Sequence, residues 1–148
     1  MKKGISACLA GVNCRYNGSG FLIEEYQKNP DEYVLICPEV LAGLNTPRNP
    51  NEIDGIITTN TYDDLVLGTI SVIDKEGNDY SKEFIEGANK VLAILNKENV
   101  KEVILKENSP SCGCNIIYDG TFSGKKIKGQ GVLCALLKKN NIKVIGRE

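Results

Sequence analysis

Six cysteines are the residues of this 148-residue chain whose side chains offer the most distinctive chemistry. They are Cys8, Cys14, Cys37, Cys112, Cys114 and Cys134. The chain has no histidine, which excludes Ser-His-Asp and Cys-His catalysis, histidine-containing zinc sites and haem held by a proximal histidine. No CxxC spacing occurs, so the paired knuckles of a zinc ribbon are absent as well. Catalysis by this chain must therefore use thiol, carboxylate, hydroxyl, lysine or a cofactor.

Thiolate ligation of a metal is the sharper interpretation of this cysteine content. Disulfides are not expected in a reducing cytoplasm, and the spacing differs from the dense framework of a small secreted domain. A cysteine is also a small apolar residue that is often buried, so its place in the chain must separate ligation from packing. Three thiolates on three loops would hold an iron–sulfur cubane and leave one iron open as a Lewis acid.

Three of the cysteines follow segments that are predicted to be strands. Cys8 and Cys37 each end a short apolar run, and Cys112 lies in the loop after the run 100–105. In an open α/β sheet, the loops that leave the carboxyl ends of parallel strands converge on one crevice. We therefore expect Cys8, Cys37 and Cys112 to share a site.

Hydrophobic periodicity predicts the elements that carry these loops. Apolar residues over 84–95 recur at helical spacing and indicate a helix of four to five turns, and shorter helices are predicted over 21–28 and 130–139. Strands are predicted at 4–9, 33–37, 100–105 and 142–145, with two more, 65–68 and 70–73, that pair or lie near the sheet edge. Strands that alternate with helices favour an α/β domain with a largely parallel sheet.

Polar side chains beside the thiols complete the candidate site. Glu39 follows Cys37 in Cys-Pro-Glu, where the rigid proline fixes the carboxylate near whatever the thiolate holds. Ser109 and Ser111 precede the third thiol, although loop serines also satisfy backbone groups. Arg48 either clamps an anion or pairs with an acid.

The positions of the other three cysteines in the sequence say less about their roles. Cys134 falls within the last predicted helix and is expected to be a packing residue. Cys114 lies two residues beyond Cys112, which does not fix the direction of its side chain. The roles of Cys14 and Cys114 stay open at this point.

Charge and hydropathy argue against two classes of partner. Eighteen basic and nineteen acidic residues give a net charge of −1, without the positive excess of a protein that binds DNA non-specifically. No apolar run approaches the roughly 18 residues that span a bilayer, and the N-terminal run is too short for a signal peptide. We expect a cytoplasmic protein without a membrane or DNA partner.

Six short motifs occur along the chain, and their combination and order are more specific than any one of them. They are Ser6-Ala-Cys-Leu-Ala-Gly11, Cys14-Arg-Tyr-Asn-Gly18, Cys37-Pro-Glu39, Gly43-Leu-Asn-Thr-Pro-Arg48, Ser109-Pro-Ser-Cys-Gly113 and Tyr118-Asp-Gly-Thr-Phe122. Together they resemble the DUF523 family, whose characterised members are thiouracil desulfidases, over nearly the whole chain. Asn17 departs from the Arg-Tyr-Asp-Gly wording common in that family.

The resemblance implies a fold, a cofactor and roles for particular residues. The fold is a single compact Rossmann-like domain over residues 1–148, and it holds a [4Fe-4S] cluster through Cys8, Cys37 and Cys112. The family's catalytic acid falls on Glu39, and its catalytic serine falls on Ser109.

The leading hypothesis is a hydrolase or lyase that converts 2-thiouracil or 4-thiouracil to uracil plus sulfide without redox chemistry. The soft thiocarbonyl sulfur would bind the open iron, Glu39 would move protons, and Ser109 would orient substrate or water. One alternative is a cluster-based sulfide carrier that supplies an acceptor enzyme, and another is a zinc-stabilised binding module. The natural substrate, whether free base, nucleoside or RNA, and the oligomeric state are not specified by the sequence.

Overall fold

The computed structural model describes residues 2–148, in which strands and helices alternate along most of the chain. The strands are β1 (Lys3–Ser6), β2 (Tyr33–Ile36), β3 (Asn51–Asp54), β4 (Ser71–Asp74), β5 (Glu102–Lys106), β6 (Ile116–Tyr118), β7 (Lys126–Lys128) and β8 (Lys143–Arg147). The helices are α1 (Glu24–Lys28), α2 (Pro38–Leu41), α3 (Thr61–Leu67), α4 (Ser81–Lys97) and α5 (Val132–Lys139), with single 3-10 turns at Ala7–Leu9 and Pro30–Glu32.

The main sheet has four parallel strands in the order β2-β1-β5-β8. Its register places Ser6 beside Ile36 and Gly4 beside Val103, so β2, β1 and β5 all run toward the same edge. Two smaller antiparallel pairs, β3 with β4 and β6 with β7, lie outside it. The predicted α/β fold with a largely parallel sheet is confirmed.

Apolar side chains pack on both faces of the main sheet. The larger core includes Val103 and Leu105 of β5 and the buried face of α4, which comprises Phe84, Ala88, Val91 and Leu95. Ile104 points to the opposite face, where it joins Ile5 and Leu9 in a smaller core. Burial on both faces explains why these strands read as continuous apolar runs in the sequence.

The strand predicted over 65–68 is wrong, because these residues form the end of α3 and its cap. The side chain of Asn60 accepts a hydrogen bond from the Asp63 amide and so caps the helix, which ends at Gly68 with a φ of +83°. The predicted strand over 70–73 does exist as β4, but it pairs with β3 and not with residues 65–68. A short apolar run does not distinguish a buried strand from one face of a short helix.

The longest helix, α4, has 17 residues. Among residues 2–148, no helix is both long enough and apolar enough to span a membrane.

Candidate active site

Cys8, Cys37 and Cys112 lie at the carboxyl edge of three adjacent strands. Cys8 is in the 3-10 turn after β1, Cys37 directly follows β2, and Cys112 is in the loop after β5. All three line one cavity of about 390 Å³, a volume within the usual range for small-molecule sites. The structure therefore brings together the three thiols that sheet topology predicts to converge.

Local sequence fixes Cys37 and the acid that follows it. Cys37 has extended backbone and stands immediately before α2, whose first residue is Pro38. Proline suits this first helical position because its fixed φ matches the helix and its missing N–H has no helical acceptor to lose. The resulting turn carries Glu39 to the cavity wall.

A fourth cysteine, Cys14, lines the same cavity and is only 7% exposed. The neighbouring thiol of Cys37 lowers the pKa of Cys14, but the thiol of Cys8 and burial outweigh it and raise the pKa to about 11. The sequence left the role of this residue open, and the structure places it in the wall of the site.

The pKa values of two further cavity thiols are raised as well. The neighbouring thiol of Cys14, followed by burial, raises the pKa of Cys37, and burial is the main cause of the raised pKa of Cys112. Such thiols lose their protons on binding a metal, because the metal ion replaces the proton as the partner of the thiolate.

This donor set fits an iron–sulfur cluster. All the candidate ligands are cysteine sulfurs on separate loops, and iron–sulfur clusters are held by cysteine thiolates. Across residues 2–148, no group of three or more His, Cys, Asp or Glu side chains is arranged to hold one metal ion. A cubane has its irons at separate corners, so its thiolate ligands need not converge on a single point.

The carboxylate of Glu39 is held at both of its oxygens. Arg48 donates to Oε1 from Nε at 3.2 Å and approaches the same oxygen with Nη2 at 3.1 Å. Ser111 donates from Oγ to Oε2 at 2.9 Å. The Arg48 and Glu39 side chains are only 9% and 15% exposed, so this ion pair is largely shielded from water.

Ser109 contacts Glu39 only indirectly, through Ser111. Its Oγ accepts hydrogen bonds from the amides of Ser111 at 3.0 Å and Cys112 at 3.2 Å, and it lies 2.8 Å from the Oγ of Ser111. Because Ser111 gives its own proton to Glu39, the hydroxyl proton of Ser109 bonds to the Oγ of Ser111. The direct contact with the acid belongs to Ser111, which the sequence analysis placed only beside the third thiol.

Arg48 pairs with an acid, the second of the two roles considered for it. Its Nη2 also donates to the carbonyl of Cys14 at 3.1 Å, and its Nη1 donates to the carbonyl of Asn45 at 3.0 Å. One guanidinium thus ties the Cys14 loop to Glu39. The planar fork of arginine suits this task because it offers several donors in fixed directions.

Two further cations lie at the cavity, and the sequence gave no signal for their role. The Nζ of Lys106, at the end of β5, is 5.2 Å from the ring centroid of Phe21, and the guanidinium of Arg15 is 4.8 Å from the same centroid. Burial, followed by the charge of Arg15, lowers the pKa of Lys106. The ring face stabilises both cations at the cavity wall.

Two aromatic residues also line the cavity. Tyr118 ends β6 and Phe122 lies in the loop that follows, which a buried carboxylate fixes. The Oε1 of Glu52 accepts from the amides of Gly120 at 2.9 Å and Phe122 at 3.3 Å. Rings held in this way offer apolar surface to a planar ligand.

The remaining two cysteines belong to the main core. Cys134 is completely buried on α5, as the sequence predicts for a packing residue. The neighbouring thiol of Cys134, together with burial, raises the pKa of Cys114. The amide of Cys114 donates to Oε1 of Glu107 at 2.8 Å, which fixes the loop that carries Cys112.

A parallel sheet with thiols at its carboxyl edge, beside a fixed carboxylate, is the framework of an α/β enzyme with a thiolate-held cofactor. Residues 4–148 match the model of the 2-thiouracil desulfurase family, and the chain belongs to that family. This assignment confirms the resemblance found in the sequence motifs.

Two known proteins are similar over nearly their whole length. The uncharacterized protein YbbK of Bacillus subtilis (strain 168) is 49% identical over 143 residues, which are 95% of this chain and 92% of that protein. The solved structure of the [4Fe-4S]-dependent thiouracil desulfidase TudS (DUF523Vcz) superposes with a TM-score of 0.83 at 32% identity. That match covers 99% of this chain and 90% of the other.

Proposed function

We propose that this protein is a cytoplasmic, [4Fe-4S]-dependent desulfidase that converts a thiolated pyrimidine, 2-thiouracil or 4-thiouracil, to uracil and sulfide. The observation that carries the proposal is the cavity in which Cys8, Cys37 and Cys112 lie beside the fixed carboxylate of Glu39. Family membership supports the substrate class, and the structural relative supports the cofactor.

Cys8, Cys37 and Cys112 would hold the cluster as thiolates. When bound, a cluster with three protein ligands supplies an open iron, a Lewis acid with affinity for the soft sulfur of a thiocarbonyl group.

Glu39 handles protons in the proposed reaction. Replacement of C=S by C=O consumes one water, whose oxygen goes to the ring carbon and whose two protons leave with the sulfur as hydrogen sulfide. The carboxylate accepts a proton from the attacking water and returns it to the departing sulfur or the ring nitrogen. Arg48 and Ser111 hold the two carboxylate oxygens in place, so the carboxylate is oriented before substrate binds.

The aromatic residues provide the binding surface for the base. Tyr118 and Phe122 line the cavity, and Glu52 fixes the loop that carries Phe122. A pyrimidine ring is planar and largely apolar on its faces, so it packs against such side chains without loss of hydrogen bonds.

The test is anaerobic purification and reconstitution, followed by determination of iron and labile sulfide and incubation with 2-thiouracil and 4-thiouracil. We expect a four-iron cluster and formation of uracil from at least one of the two bases. A sulfide carrier would instead retain added sulfide and pass it to an acceptor while leaving both bases intact. Zinc without labile sulfide would reject both interpretations in favour of a binding module.

A further inference from the structure

We propose that Glu52 is a positioning residue, which holds the backbone of Phe122 in a left-handed conformation so that the phenyl ring stacks on the ring of the substrate. The inference rests on the proposed function, because it needs a planar thiolated base in the cavity. It adds to that function a pair of residues that determine how tightly the base binds, separate from the groups that act on its sulfur.

The backbone of Phe122 has a conformation that its side chain disfavours. Phe122 has a φ of +57°, in the left-handed region that few residues other than glycine adopt. Such a conformation persists only where its surroundings enforce it, and it occurs most often at functional sites. Phe122 lines the same cavity as Glu39 and the candidate cluster ligands, so this strained residue lies at the candidate active site.

The carboxylate of Glu52 enforces this conformation. Its Oε1 accepts hydrogen bonds from the amides of Gly120 at 2.9 Å and Phe122 at 3.3 Å, and both residues lie in the hairpin loop 119–125 that joins β6 to β7. Glu52 itself belongs to β3 and is only 8% exposed. A buried side chain of one strand therefore fixes the backbone of a loop that belongs to another pair of strands.

Close packing fixes the rest of the loop around Phe122. A Cβ atom at Gly120 would lie 2.5 Å from the carbonyl oxygen of Ile53, so glycine is needed for the loop to approach β3 this closely. The amide of Asp119 donates to the carbonyl of Lys125 at 3.0 Å and closes the base of the loop. These contacts hold the loop on both sides of Phe122, and Glu52 holds Phe122 itself.

The charge of Glu52 is not needed for this role. Within residues 2–148, none of the ion pairs includes Glu52. Both loop amides donate to the same oxygen, and the amide oxygen of a glutamine side chain can accept from them in its place. Glu52 thus differs from Glu39, whose proposed role is to accept and return a proton.

Stacking on Phe122 should affect binding of the base more than its conversion. A nucleobase that stacks on an aromatic side chain gains affinity through its ring face, whichever atom it carries at the thiocarbonyl position. The ring stays planar while sulfur is exchanged for oxygen, so the contact stabilises the bound substrate and the transition state alike. Loss of such a contact raises KM and leaves kcat nearly unchanged.

The experiment compares the kinetics of the reconstituted wild type, Glu52→Ala, Glu52→Gln and Glu98→Ala with the thiolated base that the wild type converts. We expect Glu52→Ala to raise KM at least about fivefold, with kcat and iron content near the wild-type values. Glu52→Gln and the exposed control Glu98→Ala should match the wild type in both kinetic constants. A wild-type KM in Glu52→Ala, or an equal rise of KM in Glu52→Gln, would overturn the inference and leave the proposed function intact. A wild-type protein that binds the cluster but converts neither base would overturn the proposed function, and the inference with it.

Phe122→Gly tests the inference even if Glu52→Ala does not fold. Glycine adopts a positive φ without strain, so this variant removes the ring from a backbone that keeps its conformation. KM should rise roughly 5- to 150-fold, which corresponds to the stacking of one base on one aromatic side chain. Addition of Glu52→Ala to Phe122→Gly should raise KM no further, because Glu52 acts through the ring. A wild-type KM in Phe122→Gly, or independent effects of the two substitutions, would overturn the inference.

Discussion

Ser111 donates a hydrogen bond of 2.9 Å to Oε2 of Glu39, although 72 positions separate the two residues in the chain. Glu39 follows β2, and Ser111 lies in the loop after β5, so the contact spans the carboxyl edge of the sheet across β1. The same edge carries the thiols of Cys37 and Cys112. Glu39 and two of the three candidate ligands, Cys37 and Cys112, are therefore positioned by the same two loops.

Replacement of a cluster ligand by alanine should abolish the cluster. Cys8→Ala, Cys37→Ala and Cys112→Ala each remove one of three thiolates, and two thiolates hold a cubane poorly. We expect iron and labile sulfide to fall to background in all three after anaerobic reconstitution. The matched control is Cys134→Ala, which alters a buried core residue and should keep full iron content. An intact cluster in Cys37→Ala would refute the ligand assignment.

Glu39→Gln separates chemistry from cluster assembly. The amide keeps the shape of the side chain and can still accept from Ser111, but it cannot accept a proton from water. Iron content should stay normal while kcat falls roughly 10²- to 10⁴-fold, the usual contribution of a general acid or base. Near-wild-type turnover in this variant would mean that another group moves the proton.

The two serines should differ in their effect on turnover. Ser111→Ala removes a hydrogen bond to a charged group, which typically contributes about 1.5–3 kcal/mol, so kcat should fall roughly 10- to 150-fold. KM and iron content should hardly change, since the serine acts on the orientation of Glu39. Ser109→Ala should lower kcat less than Ser111→Ala does, because Ser109 contacts Glu39 only through Ser111. The reverse order of effects would favour the sequence-based assignment of catalysis to Ser109.

Arg48→Met should destabilise the fold, because it leaves the carboxylate of Glu39 without its cationic partner. Removal of one member of a buried ion pair costs roughly 3–5 kcal/mol, and this pair is shielded enough to approach that range. Urea unfolding under anaerobic conditions measures the change. Lys139→Met is the control, because its ion pair with Asp63 is exposed and should contribute no more than about 1 kcal/mol. Equal losses in the two variants would contradict the description of the Arg48 pair as shielded.

Glu107 should make the fold sensitive to acid. Burial raises the pKa of Glu107, but hydrogen bonds from the amides of Asn115 and Cys114 outweigh it and hold the pKa below its usual 4.5. A lowered carboxyl pKa stabilises the fold above 4.5, and this contribution is lost as the pH falls through the folded-state pKa. Glu107→Gln should therefore lower Tm at neutral pH, and the difference from wild type should shrink at acidic pH.

The control for Glu107 is Glu98→Gln, which changes an exposed carboxylate and should leave Tm unaltered at either pH. A Tm difference between Glu107→Gln and wild type that stays constant with pH would show that the amide disturbs packing and that charge plays no part.

The sequence predicted the parts of the fold that follow from local pattern. Helix α4 shows clear helical periodicity, and the convergence of Cys8, Cys37 and Cys112 follows from a general rule about the ends of parallel strands. Residues 65–68 were predicted incorrectly because a short apolar run fits either a strand or one helical face.

Local sequence patterns do not predict the long-range contacts within the site. The hydrogen bond from Ser111 to Glu39 and the place of Cys14 in the cavity wall depend on how loops from different strands pack. The residues that make these contacts are not spaced with the period of a helix or a strand, so hydrophobic periodicity does not reveal them. For Ser111, the available hints were its place next to Cys112 and two residues beyond Ser109.

The central claim is tested most directly by measuring uracil and sulfide together when the reconstituted protein acts on 4-thiouracil or 2-thiouracil in water enriched in heavy oxygen. We expect equal amounts of uracil and sulfide from at least one base, with one oxygen of the uracil derived from water. An intact cluster that consumes neither base, or uracil without oxygen from water, would contradict it.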